Sequence, residues 1–335
     1  MDLREIILNF SDQISEGVRA AGNFKVAKQY DRIVVCGMGG SIIPGMILLT
    51  WHEHQNKGPG VPIVINNNYD LPSDVTSKDI VICISWSGTT EETASSLQSA
   101  LDRKIDAILI TNPVHPSEKV GELARANSVK IIEIPIDSLQ PRWAVGYMTG
   151  ALFTILGLEA ECPTSDVGHS DELEKDGKEL AAKIGTKIPL LYSSYSWRKL
   201  GAFWKANFNE TSKIPAYWNY TPTMTHDELE IYTKHNLPFY PIIFRDEKEN
   251  PRNIRDLNTA IAILDKQEYN YAIVNLSSSP AMPTGKQAGK AHNVLETIFN
   301  NYILGLWTSY YLAQNLAVDP ENIALIQEYK KLKLG

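Results

Sequence analysis

Short apolar runs alternating with amphipathic stretches set the first expectation. A helix is predicted over about residues 2–21, and Ile33–Cys36 is a compact β-rich run that ends in glycines and gives way to an apolar helix. "VPIVINNN" is a second such run, and "DIVICISWSGTTEETASSLQSAL" repeats the order of strand, small-residue turn and helix. "DAILITN" and "KIIEIPI" predict two further strands, and "RWAVGYMTGALFTILGL" predicts an apolar helix to about Leu158. Strands without polar alternation, separated by helices, predict a parallel sheet covered on both faces. The polar "EAECPTSDVGHSDELEKDG" reads as a boundary, after which the pattern restarts with "KIPLLYSSYSWRKLGAFWKANFNE", "PFYPIIFRD" and "YNYAIVNLSSS". A long apolar helix, "ETIFNNYILGLWTSYYLAQNLAVD", precedes the tail "PENIALIQEYKKLKLG", where Pro320 suits a first helical position. The expected class is α/β, with two tandem doubly wound parallel-sheet domains and a C-terminal helix. The boundaries are 1–158, 159–318 and 319–335.

Composition narrows the class. The 335 residues are 43% apolar and 21% charged, the balance of a folded protein with two ordinary cores. A net charge of −7 argues against gripping nucleic acid phosphates, and no apolar run of about 18 residues suggests a membrane span. The N-terminus starts acidic and lacks a secretory pattern, and Cys36, Cys83 and Cys162 are an odd set. These features suit reduced thiols in the cytoplasm rather than a disulfide framework.

Two turns carry candidate chemistry. "GMGGS" (Gly37–Ser41) follows a strand and opens a helix. The dinucleotide fingerprint would need glycine at 42, where Ile42 stands, and an acid about twenty residues on, where the chain reads "INNN". These glycines read either as a tight strand–helix contact or as a backbone surface for a small phosphorylated ligand. In "SWSGTTEE", Ser85, Ser87 and Thr90 surround Gly88, and Glu91 and Glu92 suit the first turn of a helix. An N-cap accounts for one hydroxyl; several converging on a helix mouth form a neutral anion cradle. His52 and His54 in "WHEH" are two apart and share no helix face, so no zinc helix is expected.

The two loops resemble those of the sugar isomerase (SIS) family of phosphosugar-binding domains. "QPRWAVGY", "ANFNETSKIPAY", "MTHDELE" and the C-terminal "VDP…IQEYKK" follow in order, and with them nearly the whole chain resembles the bifunctional phosphoglucose/phosphomannose isomerases. The resemblance implies two SIS domains, a homodimer and neither metal nor organic cofactor. It implies phosphate binding by Gly39, Gly40, Ser41, Ser85, Ser87 and Thr90. It makes Glu210 the base between C1 and C2, and Arg142 the cation near the enediolate. His226, from the neighbouring subunit, and Lys330 assist ring opening. The parts suit the chemistry, because shifting a carbonyl between neighbouring carbons needs a carboxylate, a ring-opening acid, a cation and an anion grip. Taken alone, each of these residues also reads as a surface acid, a helix-start histidine, a surface arginine and a solvated lysine.

The chain departs from the family's pattern at Ile42, Trp86, Thr89, Asp227 and Thr211. At Ile323 the family often has a threonine tied to turnover of both epimers, and losing that hydroxyl argues against dual specificity. The expected activity is glucose 6-phosphate to fructose 6-phosphate isomerisation, with mannose 6-phosphate open. A non-catalytic phosphosugar sensor and an isomerase of another phosphosugar are the alternatives. The serine turns of the second half mirror the first, and the aromatic cluster around Trp204 and Trp218 reads as core or subunit interface.

Overall fold

The computed structural model describes residues 2–55, 58–114, 118–137, 139–163, 167, 171–233, 237–277 and 293–334. The chain divides into two compact units, Met1–His169 with Val294–Glu296, and Ser170–Asn293 with Thr297–Gly335.

The first unit contains α1 (Leu3–Leu8), α2 (Phe10–Ala21), β1 (Ile33–Cys36), α3 (Ile43–Gln55), β2 (Ile63–Asn66) and β3 (Ile80–Ser85). It continues with α4 (Glu91–Asp102), β4 (Asp106–Thr111), α5 (Lys119–Ala126), β5 (Lys130–Glu133) and α6 (Val145–Ile155). Its five strands are parallel, in the order β2-β1-β3-β4-β5. Both faces are covered. Val34, Cys36, Val81, Cys83 and Leu109 pack with Leu97 and Ala100 of α4 and Val120 and Ala124 of α5. On the other face α3 lies so close to β1 that a side chain at Gly45 would meet Val35. Burial on both sides explains why these strands are uninterrupted apolar runs. One expectation is corrected: the N-terminal helix is not continuous, because the Asn9 side chain donates to the Glu5 carbonyl and ends α1.

The second unit holds α7 (Asp171–Ile184), β6 (Ile188–Ser194), α8 (Arg198–Asn207), a π-helical turn (Phe208–Ser212), β7 (Tyr217–Thr221) and α9 (Met224–Asp227). Then follow β8 (Phe239–Arg245), α10 (Pro251–Lys266), β9 (Ala272–Asn275), α11 (Val294–Asn315), which belongs to this unit from Thr297 on, and α12 (Ala324–Leu334). The parallel order is β7-β6-β8-β9. Leu190, Tyr192 and Ile243 pack under Leu257, Ala260 and Leu264 of α10. Elsewhere in the unit Trp204 of α8 meets Phe244 and donates through Nε1 to Asn301 of α11. Pro320 does not open the last helix; α12 starts at Ala324, whose N–H is held by the Asn322 side chain. The hydrophobic pattern above predicts neither strand β7 nor helix α10.

Candidate active site

In the first unit the strand order reverses between β1 and β3. Their register pairs Cys36 with Cys83; β1 ends there and β3 runs two residues further, so both loops leave the same end of the sheet. Open α/β sheets hold ligands at such a point. Gly39 takes φ +54°, and Gly39–Ile42 forms a 3-10 turn into α3. Ser41 is buried, and its Oγ accepts the Trp86 N–H at 3.1 Å, joining the two loops. Trp86 also donates through Nε1 to the Leu139 carbonyl at 2.7 Å and stacks on Tyr147. A third loop is thereby drawn in.

That third loop carries Arg142. The 3-10 turn Pro141–Trp143 packs so tightly on the glycine loop that a Cβ at Gly40 would stand 2.5 Å from the Arg142 nitrogen. Arg142 is buried, with its guanidinium 5.3 Å from the Trp143 ring centroid.

Strand β3 ends at Ser85, which is fully buried, and among the described residues its Oγ has no hydrogen-bond partner. Its carbonyl accepts from Thr111 Oγ1 at 2.8 Å and from the Gly88 N–H at 3.1 Å. Gly88 turns the chain at φ +63°, a conformation costly for other residues. Ser87 Oγ lies 3.0 Å from Thr89 Oγ1. Thr90 is the N-cap of α4, but its side chain makes no capping bond, and Glu91 and Glu92 occupy the first turn. Ser85, Ser87, Thr90 and the first amides of α4 are thus gathered within a few residues of one helix start, a setting suited to an anion. Glycines 39 and 40, Ser41, Ser85, Ser87, Thr90 and Arg142 all belong to these three linked loops.

The second unit repeats the topology with different chemistry. The order reverses between β6 and β8, but Ser194 Oγ is bonded to Glu249 Oε1 at 2.7 Å. Asp246, also buried, accepts from Trp197 Nε1 at 3.1 Å and from Ser277 Oγ at 2.7 Å. Two carboxylates use the hydroxyls there and would repel an anion. Ser278 and Ser279 of the serine-rich end lie outside the described residues.

Glu210 sits half-buried in the π-helical turn that ends α8. Asn209 pins this turn through Nδ2 to the Ile214 carbonyl at 2.7 Å, and Ser212 Oγ bonds the Ser309 carbonyl at 2.7 Å. Lys213 closes it in the left-handed region and donates to the Glu210 carbonyl. Single π turns inside helices re-aim side chains and recur at functional positions. The preceding Asn207 is fully buried, and neither side-chain amide atom has a partner among the described residues.

His226 is exposed on the short helix α9, which follows β7. Its segment is tethered by Glu228, whose carboxylate accepts from Tyr192 OH at 2.9 Å and Asn219 Nδ2 at 2.6 Å. Burial first, then Tyr232 and Glu228, push the Tyr192 phenol far above its ordinary range, so it stays protonated as a donor. Glu228 reads in the sequence as one more helix-start acid, and nothing local reveals the tether. Helix α8 runs back from the end of β6 to the start of β7. Glu210 therefore precedes the start of β7 and His226 follows its end, at opposite ends of that strand. Lys330 is exposed on α12. Among the described residues no group of three His, Cys, Asp or Glu could hold a metal, and no helix is long and apolar enough to cross a membrane.

A bifunctional phosphoglucose/phosphomannose isomerase of Aquifex aeolicus is 30% identical over 308 residues, covering 90% of each chain. This chain belongs to the bifunctional phosphoglucose/phosphomannose isomerase family. Membership makes it an aldose–ketose isomerase. The namesake from Thermoplasma volcanium is likewise 30% identical, over 99% of both chains. Residues 173–332 match the bacterial phospho-glucose isomerase C-terminal SIS domain. Among solved structures, the tagatose-6-phosphate ketose/aldose isomerase of Escherichia coli superposes with a TM-score of 0.68 at 14% identity, covering 95% of this chain and 94% of that one. That likeness shows the fold: parallel sheets flanked by helices, as in other SIS proteins. Within this phosphoglucose/phosphomannose isomerase family member, the first unit carries the hydroxyl loops and Arg142, and the second carries Glu210, His226 and Lys330.

Proposed function

We propose that this isomerase interconverts glucose 6-phosphate and fructose 6-phosphate by moving a proton between C1 and C2 through a cis-enediol. The observation that carries the reading is the Ser85 hydroxyl, buried and without a partner among the described residues at the mouth of α4. Ser194, which ends β6 beside the second unit's point of reversal, is by contrast spent on Glu249. A buried hydroxyl left unbonded costs free energy that a phosphate oxygen would offset. In this reading Ser41, Ser85, Ser87 and Thr90 hold the phosphate, with Gly39 and Gly40 allowing close approach. Glu210 carries the proton, Arg142 steadies the enediolate, and His226 and Lys330 serve ring opening.

The separation of Glu210 from His226 across β7 supports a homodimer in which each site takes its histidine from the partner. Exposed apolar residues suited to a second copy are concentrated in the same unit: Tyr217 and Trp218 on β7, and Leu325, Tyr329 and Leu332 along one face of α12. Glu210→Gln should retain phosphate binding and lose turnover by ~10²–10⁴, followed in a coupled assay with glucose 6-phosphate and mannose 6-phosphate on one sample. Wild-type turnover by that variant overturns the assignment; phosphosugar binding without turnover by the wild type makes the chain a sensor. Co-refolding Glu210→Gln with His226→Asn should restore about a quarter of the activity, since half the dimers are mixed and each has one intact site. No recovery refutes the shared site.

A further inference from the structure

Beneath the Ser85–Thr90 loop lies a carboxylate that the isomerase chemistry does not use. Glu118 caps α5 and is buried, with Oε2 2.9 Å from Arg125 Nη2 and Oε1 3.3 Å from Thr111 Oγ1. The same Thr111 hydroxyl bonds the Ser85 carbonyl at 2.8 Å, so Glu118 and Ser85 share one hydroxyl. Two residues past the cap, Val120 N–H donates to the Gly88 carbonyl at 2.9 Å. The packing is equally close. A Cβ at Gly88 would collide with Glu118 Cγ, and one at Gly121 would stand 2.5 Å from the carboxylate. Arg125 extends the chain of contacts to Glu133 of β5, at 2.8 Å.

We infer that Glu118 is a positioning residue for the anion cradle: through Thr111, Val120 and its own packing under Gly88 it holds the loop in the shape that leaves Ser85 Oγ available. The inference rests on the phosphate reading of that loop. It has a physical reason. Gly88 sits in a left-handed turn, and a glycine has more alternative conformations to lose than any other residue, so the loop needs an outside brace. The brace is built from the next strand and helix, β4 and α5. Arg125 pairs with the Glu118 carboxylate and offsets a negative charge that would otherwise stand beside an anion site.

The test titrates inorganic phosphate into the full-length wild type, Glu118→Ala and Thr111→Val by calorimetry. Backbone hydrogen exchange over residues 86–90 and glucose 6-phosphate kinetics are measured on the same samples. Glu118→Ala should weaken phosphate binding about tenfold, the scale of one lost charge-assisted hydrogen bond, and speed exchange in the loop. The kinetic loss should fall on KM more than on kcat. Thr111→Val keeps the side-chain volume and should move every readout in the same direction. It also serves if Glu118→Ala fails to fold. A folded variant of lower melting temperature but wild-type phosphate affinity and loop exchange would show a merely structural role and overturn the proposal. If the wild type itself binds no phosphate, the cradle reading fails. Exchange at 86–90 then decides the brace alone: faster exchange upholds it, and unchanged exchange sinks it.

Discussion

Gly40 meets the Pro141–Trp143 turn backbone on backbone, and that contact can be tested with one methyl group. A Cβ added at Gly40 would lie 2.5 Å from Arg142 N, 2.6 Å from Pro141 C and 2.9 Å from Arg142 Cα. Ordinary contacts begin at 3.4 Å, so the Pro141–Trp143 turn must retreat by about 1 Å. It has little freedom to do so, because Arg142 and Trp143 are both buried. Overpacking of this kind costs about 1–3 kcal/mol. Displacing a charged group in a reacting site by about 1 Å can cost ~10²-fold in turnover. Gly39→Ala provides the contrast. Its Cβ would meet nothing within 4 Å, so only the left-handed φ of +54° is penalised, at about 1 kcal/mol. Urea unfolding with unchanged m values, beside steady-state kinetics well below the transition, separates the two effects. Gly40→Ala should lose more stability than Gly39→Ala and lose kcat far beyond what the folded fraction explains. A Gly40→Ala protein with wild-type midpoint and turnover would show that the loop contact does not position Arg142.

Acid and thiol chemistry give two further checks. The Arg32 guanidinium, 2.8 Å away, holds the buried Asp79 carboxylate below its usual range, with help from the Thr76 N–H. A depressed folded pKa stabilises above the unfolded value of about 4 and loses that contribution as pH falls through the folded one. The wild type should therefore lose stability to urea below about pH 4 more steeply than Asp79→Asn; parallel profiles would refute the linkage. The three cysteines are buried and unpaired, and burial, then Glu159 and Glu161, push Cys162 up to about 12. An aromatic disulfide reagent at pH 8 should leave all three unreacted in the folded protein and titrate all three in denaturant. Rapid reaction of a native thiol would contradict this packing.

What could be read from the sequence follows from where each element buries its faces. Ile33–Cys36 and Ile80–Ser85 are covered on both sides, so their apolar runs announce them. Strand β7 is an edge strand with Tyr217 and Trp218 exposed, and its pairing of Leu190 with Tyr217, rather than any local periodicity, makes it a strand. The same strand governs the candidate site. Glu210 and His226 are sixteen positions apart in the chain, a spacing that suggests neighbours until β7 is inserted between them. The serines of the two switch points look alike as letters. Ser85 ends β3 and Ser194 ends β6, the counterpart of β1, and different groups reach them: Asp246 and Glu249, about fifty residues beyond Ser194, fold back onto the second turn, whereas Thr111 approaches Ser85 at its carbonyl and leaves the hydroxyl alone. A hydroxyl-rich turn therefore marks an anion site only when the groups that could satisfy it from elsewhere in the fold are directed away, and that condition is tertiary. The first turn meets it and the second does not, which is why the proposed phosphate site falls in one unit of a duplicated topology.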